Sequence, residues 1–217
     1  MESDVLALSD APLCREKIWE NDGVAVLKLS AALPQAEGTG RKARRFNRWY
    51  LHFYRSYLRY CAHILLPRAR ECFEAARRDG KPWVCATAEV TFCVTWQNDA
   101  VVSLYLDAKE EHLPPPLTIR RSDTWDKNSV RLLPCEAFFP PKTPLRKLFF
   151  QAARPYLAAQ KRDGAPLYND YRLRCRLHFK KGNFYLTDRS VIFYFQPYLL
   201  APHLVCIPVA RDAEAPL

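Results

Sequence analysis

Glycine is scarce, with six residues in 217. That leaves too few for a glycine-rich phosphate cradle, and neither a Walker-type loop nor a dinucleotide-binding spacing is present. The GxSxG elbow and the HExxH zinc helix are missing as well. The five histidines, His52, His63, His112, His178 and His203, are scattered, and none stands in a recognisable constellation. Asp123 and Asp126 flank Trp125, but at that spacing on a strand two carboxylates point to opposite faces, which is wrong for an acid/base pair. The expectation is a protein that is not an enzyme and carries no cofactor.

Long apolar runs are absent too. Nothing approaches the ~18–20 residues that span a bilayer. The first residues, "MESDVLALSDAPLC", are acidic and lack the basic and apolar regions of a secretory signal. The reading is a cytoplasmic chain with no membrane span. The eight cysteines lack any pairing pattern: Cys14, Cys61, Cys72, Cys85, Cys93, Cys135, Cys175 and Cys206 include no CxxC and no Cys–His cluster. A structural zinc site needs four convergent ligands, usually in close pairs. Reduced thiols and no metal site are therefore expected.

Charge of one sign is in short supply. Lysine and arginine number 33 against 23 acids, a net charge of +10, and the excess is uneven: +2 over residues 1–110 and +8 over 111–217. Residues 41–70 hold nine basic residues and no acid, and arginine outnumbers lysine 22 to 11. Arginine forks suit carboxylate and phosphate. Such a surface attracts an acidic protein, a nucleic acid or another polyanion, although a merely solvated basic surface has the same composition.

What is present is a core-forming chain, 49% hydrophobic. The segment 17–35 reads as one or two strands around an Asp22-Gly23 turn. Phe46, Trp49, Tyr50, Phe53, Tyr57, Tyr60 and Ile64 recur every three or four residues and predict a helix over about 41–65, its aromatic face turned to a sheet. Pro67 is expected to kink or break it, and a second helical stretch should stop at Gly80. Residues 85–96 alternate cleanly, with Ala88, Val90, Phe92, Val94 and Trp96 on one face, and 100–108 return as the hairpin partner. Residues 117–125 and 129–133 suggest a further hairpin. Thr143 and Pro144 look like the N-cap and first residue of a second main helix, with Leu145, Leu148, Phe149 and Ala152 facing inward.

The last third carries the functional reading. "YRLRCRLHF" (171–179) alternates without a fault, so a strand here places Tyr171, Leu173, Cys175, Leu177 and Phe179 on one side and Arg172, Arg174, Arg176 and His178 on the other. Lys180 and Lys181 extend this basic ladder. Residues 183–187, 191–196 and 204–209 then complete a meander, with Pro197 ending its middle strand.

This C-terminal stretch also resembles a known family. Asn183-Phe184-Tyr185-Leu186-Thr187, Val191-Ile192-Phe193-Tyr194, Pro197-Tyr198 and Ala201-Pro202 resemble the closing motif of the RsiV-like domain, the extracellular part of lysozyme-sensing bacterial anti-sigma factors. Phe46-Asn47 resembles the start of that family's long helix, 101–104 its second sheet strand, and 132–138 a segment after its central hairpin, with Glu136 and Ala137 replacing Asp and Leu. The resemblance spans about 18–209. It implies an α+β fold, a twisted and mainly antiparallel sheet with a long N-terminal helix and a second helix packed on it, and a non-catalytic regulatory or interaction role in a bacterium. Residues 1–14 would be a loose tail, and 15–217 a single domain or two lobes over 15–140 and 141–217. The family's sigma-binding segment and transmembrane helix have no counterpart in this sequence, so sensing outside the cell is not carried over. Lysozyme, usually basic, also suits a basic chain poorly. The expected partner is an acidic protein or polyanion held by Arg172, Arg174, Arg176, His178, Lys180 and Lys181. Nucleic acid is the alternative, contacted by the same residues and the helix arginines.

Overall fold

β1 (Leu13–Asn21) and β2 (Val24–Leu33) pair as an antiparallel hairpin in the computed structural model, which describes residues 5–211. The turn is Asp22-Gly23, with φ of 49° and 77°; two consecutive positive φ values are what a two-residue hairpin turn needs to match strand twist. Residues before β1 are tied down. Leu6 is buried, the Ser9 N–H donates to Gln35 O (2.8 Å), and the Glu37 N–H donates to Ala7 O (2.9 Å). The loose tail expected over 1–14 is therefore anchored from Leu6 onward, because 6–9 lies along 35–37; residues 1–4 fall outside the described residues.

α1 (Arg41–Tyr60), a π turn (Cys61–Leu65) and α2 (Leu66–Arg78) form one helical run of 38 residues. It is the crossover that lets β2 pair in parallel with β3 (Ala86–Gln97), in the register Leu27↔Ala86 to Ala31↔Val90. The helix passes through Pro67 instead of breaking there. Proline lacks an N–H and crowds the carbonyl four residues back. The π turn absorbs the mismatch: the Leu66 N–H reaches five residues back to Cys61 O, and Pro67 falls in the first turn of α2. The wider turn also rotates the inward face. Phe46, Tyr50 and Tyr57 are buried as the aromatic spacing predicts, but Trp49, expected on the same face, is exposed; beyond them the buried positions are Cys61, Leu65, Leu66, Ala69 and Phe73, and Ile64 is exposed. α1 and α2 both pack on β2, whose Leu27, Leu29, Ala31 and Leu33 are buried. α2 stops at Gly80 (φ 64°), where the Lys81 N–H bonds Ala76 O and the Gly80 N–H bonds Arg77 O. This is the glycine stop predicted from sequence.

β4 (Val101–Glu111), β5 (Leu117–Asp126) and β6 (Arg131–Leu132) follow, and the sheet runs in the order β1-β2-β3-β4-β5-β6. The β3–β4 turn is set by Asn98, whose side-chain oxygen accepts from the Ala100 and Val101 N–H groups. A second sheet, ordered β7-β8-β9, comprises β7 (Phe184–Leu186), β8 (Ser190–Phe195) and β9 (Val205–Ala210), the meander expected from sequence. α3 (Leu145–Arg162) packs on β9. Its start differs from expectation: Pro144, not Thr143, holds the N-cap position, and the Thr143 hydroxyl bonds back to Pro140 O at 2.6 Å. Its inward residues are Leu145, Phe149, Ala153 and Leu157, with Leu148 and Ala152 only partly buried at the flank. The fold is α+β, with a mainly antiparallel sheet, a long helix and a further main helix.

The chain forms two units interleaved in sequence: Met1–Phe92 with Leu106–Leu117, and Cys93–Tyr105 with Thr118–Leu217. A boundary near residue 140 is not where the division falls, because β3 and β4 each contribute residues to both units.

The largest departure from expectation is at 171–179. It is not a strand but α4, Tyr171–His178. Leucine and arginine are strong helix formers, and 171–178 contains no β-branched residue to favour an extended chain. Asp170 holds the N-cap position, its carbonyl accepts from the Leu173 and Arg174 N–H groups, and its carboxylate takes the Arg174 guanidinium four residues on. Alternation and helical spacing coincide at Tyr171 and Cys175, which are buried either way. They diverge at Leu173 and Leu177, which the helix turns outward.

Candidate functional site

The basic ladder predicted for 171–181 is dispersed by the helix and partly rebuilt in another form. Arg172 and Arg176 stand four residues apart and share one face of α4, both exposed. Arg174 lies on a different face, with its Nε 2.8 Å from both Asp170 carboxylate oxygens and its guanidinium 4.9 Å from the centre of the Tyr168 ring. Lys181 donates to Glu136 Oε1 at 2.7 Å, a contact that lowers the Glu136 pKa and raises that of Lys181. His178 is half-buried, and Lys180 is exposed just past the helix. The structure thus keeps Arg172 and Arg176 together and occupies Arg174 and Lys181 with the chain's own carboxylates.

Two leucines join the arginine pair. Leu173 is 57% exposed and Leu177 68% exposed, again four residues apart. An exposed leucine is ordinary singly; a pair at helical spacing beside two arginines forms an apolar and basic face. α4 is held from behind. Tyr171 and Cys175 enter the core with Phe149, Ala153 and Leu157, and Phe179, just after the helix, stacks on Phe149 with ring centres 4.1 Å apart. At the C-terminal end, Arg146 Nη2 donates to Arg176 O (3.2 Å), filling one of the carbonyls a helix end leaves open.

Between α3 and α4 lies a cavity of about 400 Å³. Ala153, Leu157, Tyr171 and Cys175 line its buried side and Phe150 another, while Arg154, Arg172 and Arg176 supply its charge. No carboxylate pairs with any of these three guanidiniums among the described residues; Arg172 Nε donates to the Tyr171 hydroxyl at 3.2 Å. Burial pushes the Cys175 thiol up to about 11, opposed by the Arg176 charge, so at neutral pH it is a protonated, weakly nucleophilic group. A second cavity, lined in part by Ser122, Asp123, Cys135 and Phe184, contains the Glu136–Lys181 pair and so carries its own neutralised charge.

The first unit has one buried carboxylate that the sequence reading passed over. Glu110 is 2% exposed. The Tyr60 hydroxyl donates to its Oε2 at 3.5 Å, while its Oε1 and the Tyr57 hydroxyl are buried without a hydrogen-bond partner. Burial raises the Glu110 pKa, against lowering contributions from the Tyr60 hydrogen bond and the Arg68 charge. Burial likewise pushes Tyr60 up to about 12 and Cys61 up to about 12. The signal was there to find: Val102, Leu104, Leu106 and Ala108 alternate on the buried side of β4, and Glu110 is next in that series. On the outer face of α1, Arg41, Arg44, Arg45, Arg48, His52, Arg55 and Arg59 are all exposed, a basic stripe at helical spacing. Among the described residues, no three His, Cys, Asp or Glu side chains gather as metal ligands, and no helix is long and apolar enough to cross a membrane.

Residues 137–210, from just before α3 to the end of β9, match the model of a family described as a protein of unknown function, DUF3298. Two solved structures are similar to most of the chain. One is a member of the DUF3298 family from Bacteroides fragilis NCTC 9343, with a TM-score of 0.60 at 13% identity over 94% of this chain and 90% of that one. The other is a DUF3298 family protein from Pseudomonas aeruginosa PAO1, with a TM-score of 0.58 at 14% identity over the same shares. At such identities the likeness is one of fold. No curated protein matches the chain.

Proposed function

We propose that this protein is a non-catalytic protein-interaction domain, RsiV-like in type, that uses α4 to bind an acidic partner and acts in the cytoplasm as a regulator or scaffold. The observation that carries the reading is the pairing of Arg172 and Arg176 with the exposed Leu173 and Leu177 on one eight-residue helix. Arginine flanking apolar side chains is the composition of a protein contact surface, where apolar anchors give affinity and rim charges give register. The RsiV-like closing motif at 183–202 lies inside the segment that matches DUF3298, which supports treating the two likenesses as one domain type. Eight cysteines without pairing spacing support a reducing compartment.

A random peptide library selected against the immobilised protein tests this. Enriched sequences should combine acidic and apolar residues, and R172S/R176S and L173S/L177S should each abolish their capture while the far-UV spectrum stays unchanged. Peptides without acidic bias, or capture that survives both variants, would count against it. The α1 stripe favours a second reading, a polyanion or nucleic-acid contact. A gel shift with duplex and single-stranded DNA at two salt concentrations decides it, since phosphate contacts weaken steeply with salt.

A further inference from the structure

We propose that the cavity between α3 and α4 is a binding site for a small organic anion with a hydrocarbon or aromatic body and a single anionic head. This goes beyond the partner-binding face, with which the cavity shares Arg172 and Arg176 but neither Arg154 nor the apolar lining. The size fits: about 400 Å³ lies within the ~300–1,000 Å³ typical of small-molecule sites. The lining divides by chemistry. Ala153, Leu157 and Cys175 are buried and offer no charge, and the Phe150 and Tyr171 rings add aromatic surface for an apolar body. Arg154 on α3 and Arg172 and Arg176 on α4 line the same cavity, so both helices contribute arginines to it. Three like charges around one space repel one another unless an anion or water stands between them, and none has a carboxylate of the described chain to neutralise it. A carboxylate or phosphate head accepts forked hydrogen bonds from such a set, whereas a neutral head gains little. An apolar molecule alone would leave the arginines unpaired, and an inorganic anion alone would leave the lining unfilled. Only a molecule with both parts answers the cavity's composition.

Binding of 1-anilinonaphthalene-8-sulfonate, an aromatic body with one anionic head, provides the readout, and decanoate, decyl phosphate, decanol and acetate serve as competitors. The expected result is saturable fluorescence displaced by decanoate or decyl phosphate and not by decanol or acetate, with the better of the two anions identifying the head. R154S should weaken decanoate binding by about tenfold, the scale of one charge-assisted contact. Because Arg154 lies on α3, this variant leaves the proposed partner face intact, and L173S/L177S removes that face while leaving the cavity lining unchanged. Loss of decanoate binding in R154S with peptide capture retained separates this site from the partner reading. Displacement by decanol equal to that by decanoate, or decanoate binding unchanged in both R154S and R172S/R176S, would overturn the proposal. The competition series needs no variant, so a poorly folding substitution does not remove the test.

Discussion

Replacing Phe149 by Ala should destabilise the unit that carries α4 more than any other single truncation in α3. The ring is fully buried, and its centre lies 4.1 Å from that of Phe179, 5.1 Å from Phe150, 5.3 Å from Phe193 and 6.2 Å from Phe195. These neighbours come from α3 itself, from the residue after α4 and from two positions on β8. No single shift closes the space left behind, so the cavity cost is felt nearly in full. Buried Phe→Ala changes cost about 3–5 kcal/mol, and the upper half of that range is expected here. For a chain of this length each kcal/mol moves Tm by about 2–4 °C, giving a fall of roughly 8–20 °C. Phe149→Leu keeps most of the volume and should lose less than about 1.5 kcal/mol. Urea unfolding followed by far-UV circular dichroism measures both, with an unchanged m-value showing that the same surface is exposed. Because Phe179 is stacked on Phe149, the alanine variant should also bind selected peptides more weakly, although every arginine is intact. A loss below about 1 kcal/mol, within the range of an ordinary substitution, would refute the view that this ring cluster anchors α4.

Other consequences are as direct. Burial raises the folded-state pKa of Glu110 above its usual 4.5, so the folded site favours the protonated form. Glu110 therefore adds full stability below about pH 4.5, and this is lost as the pH rises through the folded-state value. Glu110→Gln should flatten that fall, read as urea midpoints from about pH 4 to pH 8, and parallel profiles for the two proteins would show that the carboxyl does not titrate as described. Gly80→Ala should cost about 1 kcal/mol purely from its positive φ, because no atom lies within 4 Å of an added Cβ; an unchanged Tm would mean that the α2 stop relaxes. Leu173→Ser with Leu177→Ser should leave stability within about 1 kcal/mol, since both side chains face water and each change costs only a few tenths in helix propensity; a larger loss by thermal melting would place them in a core.

Much of this architecture was legible in the sequence, and the exceptions have physical causes. The β1–β2 turn announced itself through Asp22-Gly23, the α2 stop through Gly80, and the C-terminal meander through its alternation and Pro197. Period alone misled at 171–178, because four residues of an alternating pattern also satisfy i, i+4 at Tyr171 and Cys175. The absence of β-branched residues and the Asp170–Arg174 pair at i, i+4 were the deciding signals. Ile64 was misplaced because a π turn is a backbone event with no side-chain signature, and it rotates everything after it. Of the site, Arg172 and Arg176 could be named in advance, but their alliance with Leu173 and Leu177 depends on helical rather than strand geometry. The α3–α4 cavity was beyond reach, since it needs Arg154 and Arg172 side by side across a connection that no local pattern encodes.

The central claim is that α4 presents the partner surface. It is tested most directly by fluorescence anisotropy of one acidic, apolar peptide from the selection, titrated with wild type, with R172S/R176S and with an α1-stripe control, R44S/R48S/R55S, which removes more positive charge from a different helix. The account predicts a loss of about tenfold or more for R172S/R176S and little change for the control, with only modest weakening between low and high salt because the leucines supply part of the affinity. Equal losses in both variants, tracking net charge and vanishing at high salt, would contradict it and leave only a non-specific attraction between a basic protein and an acidic peptide.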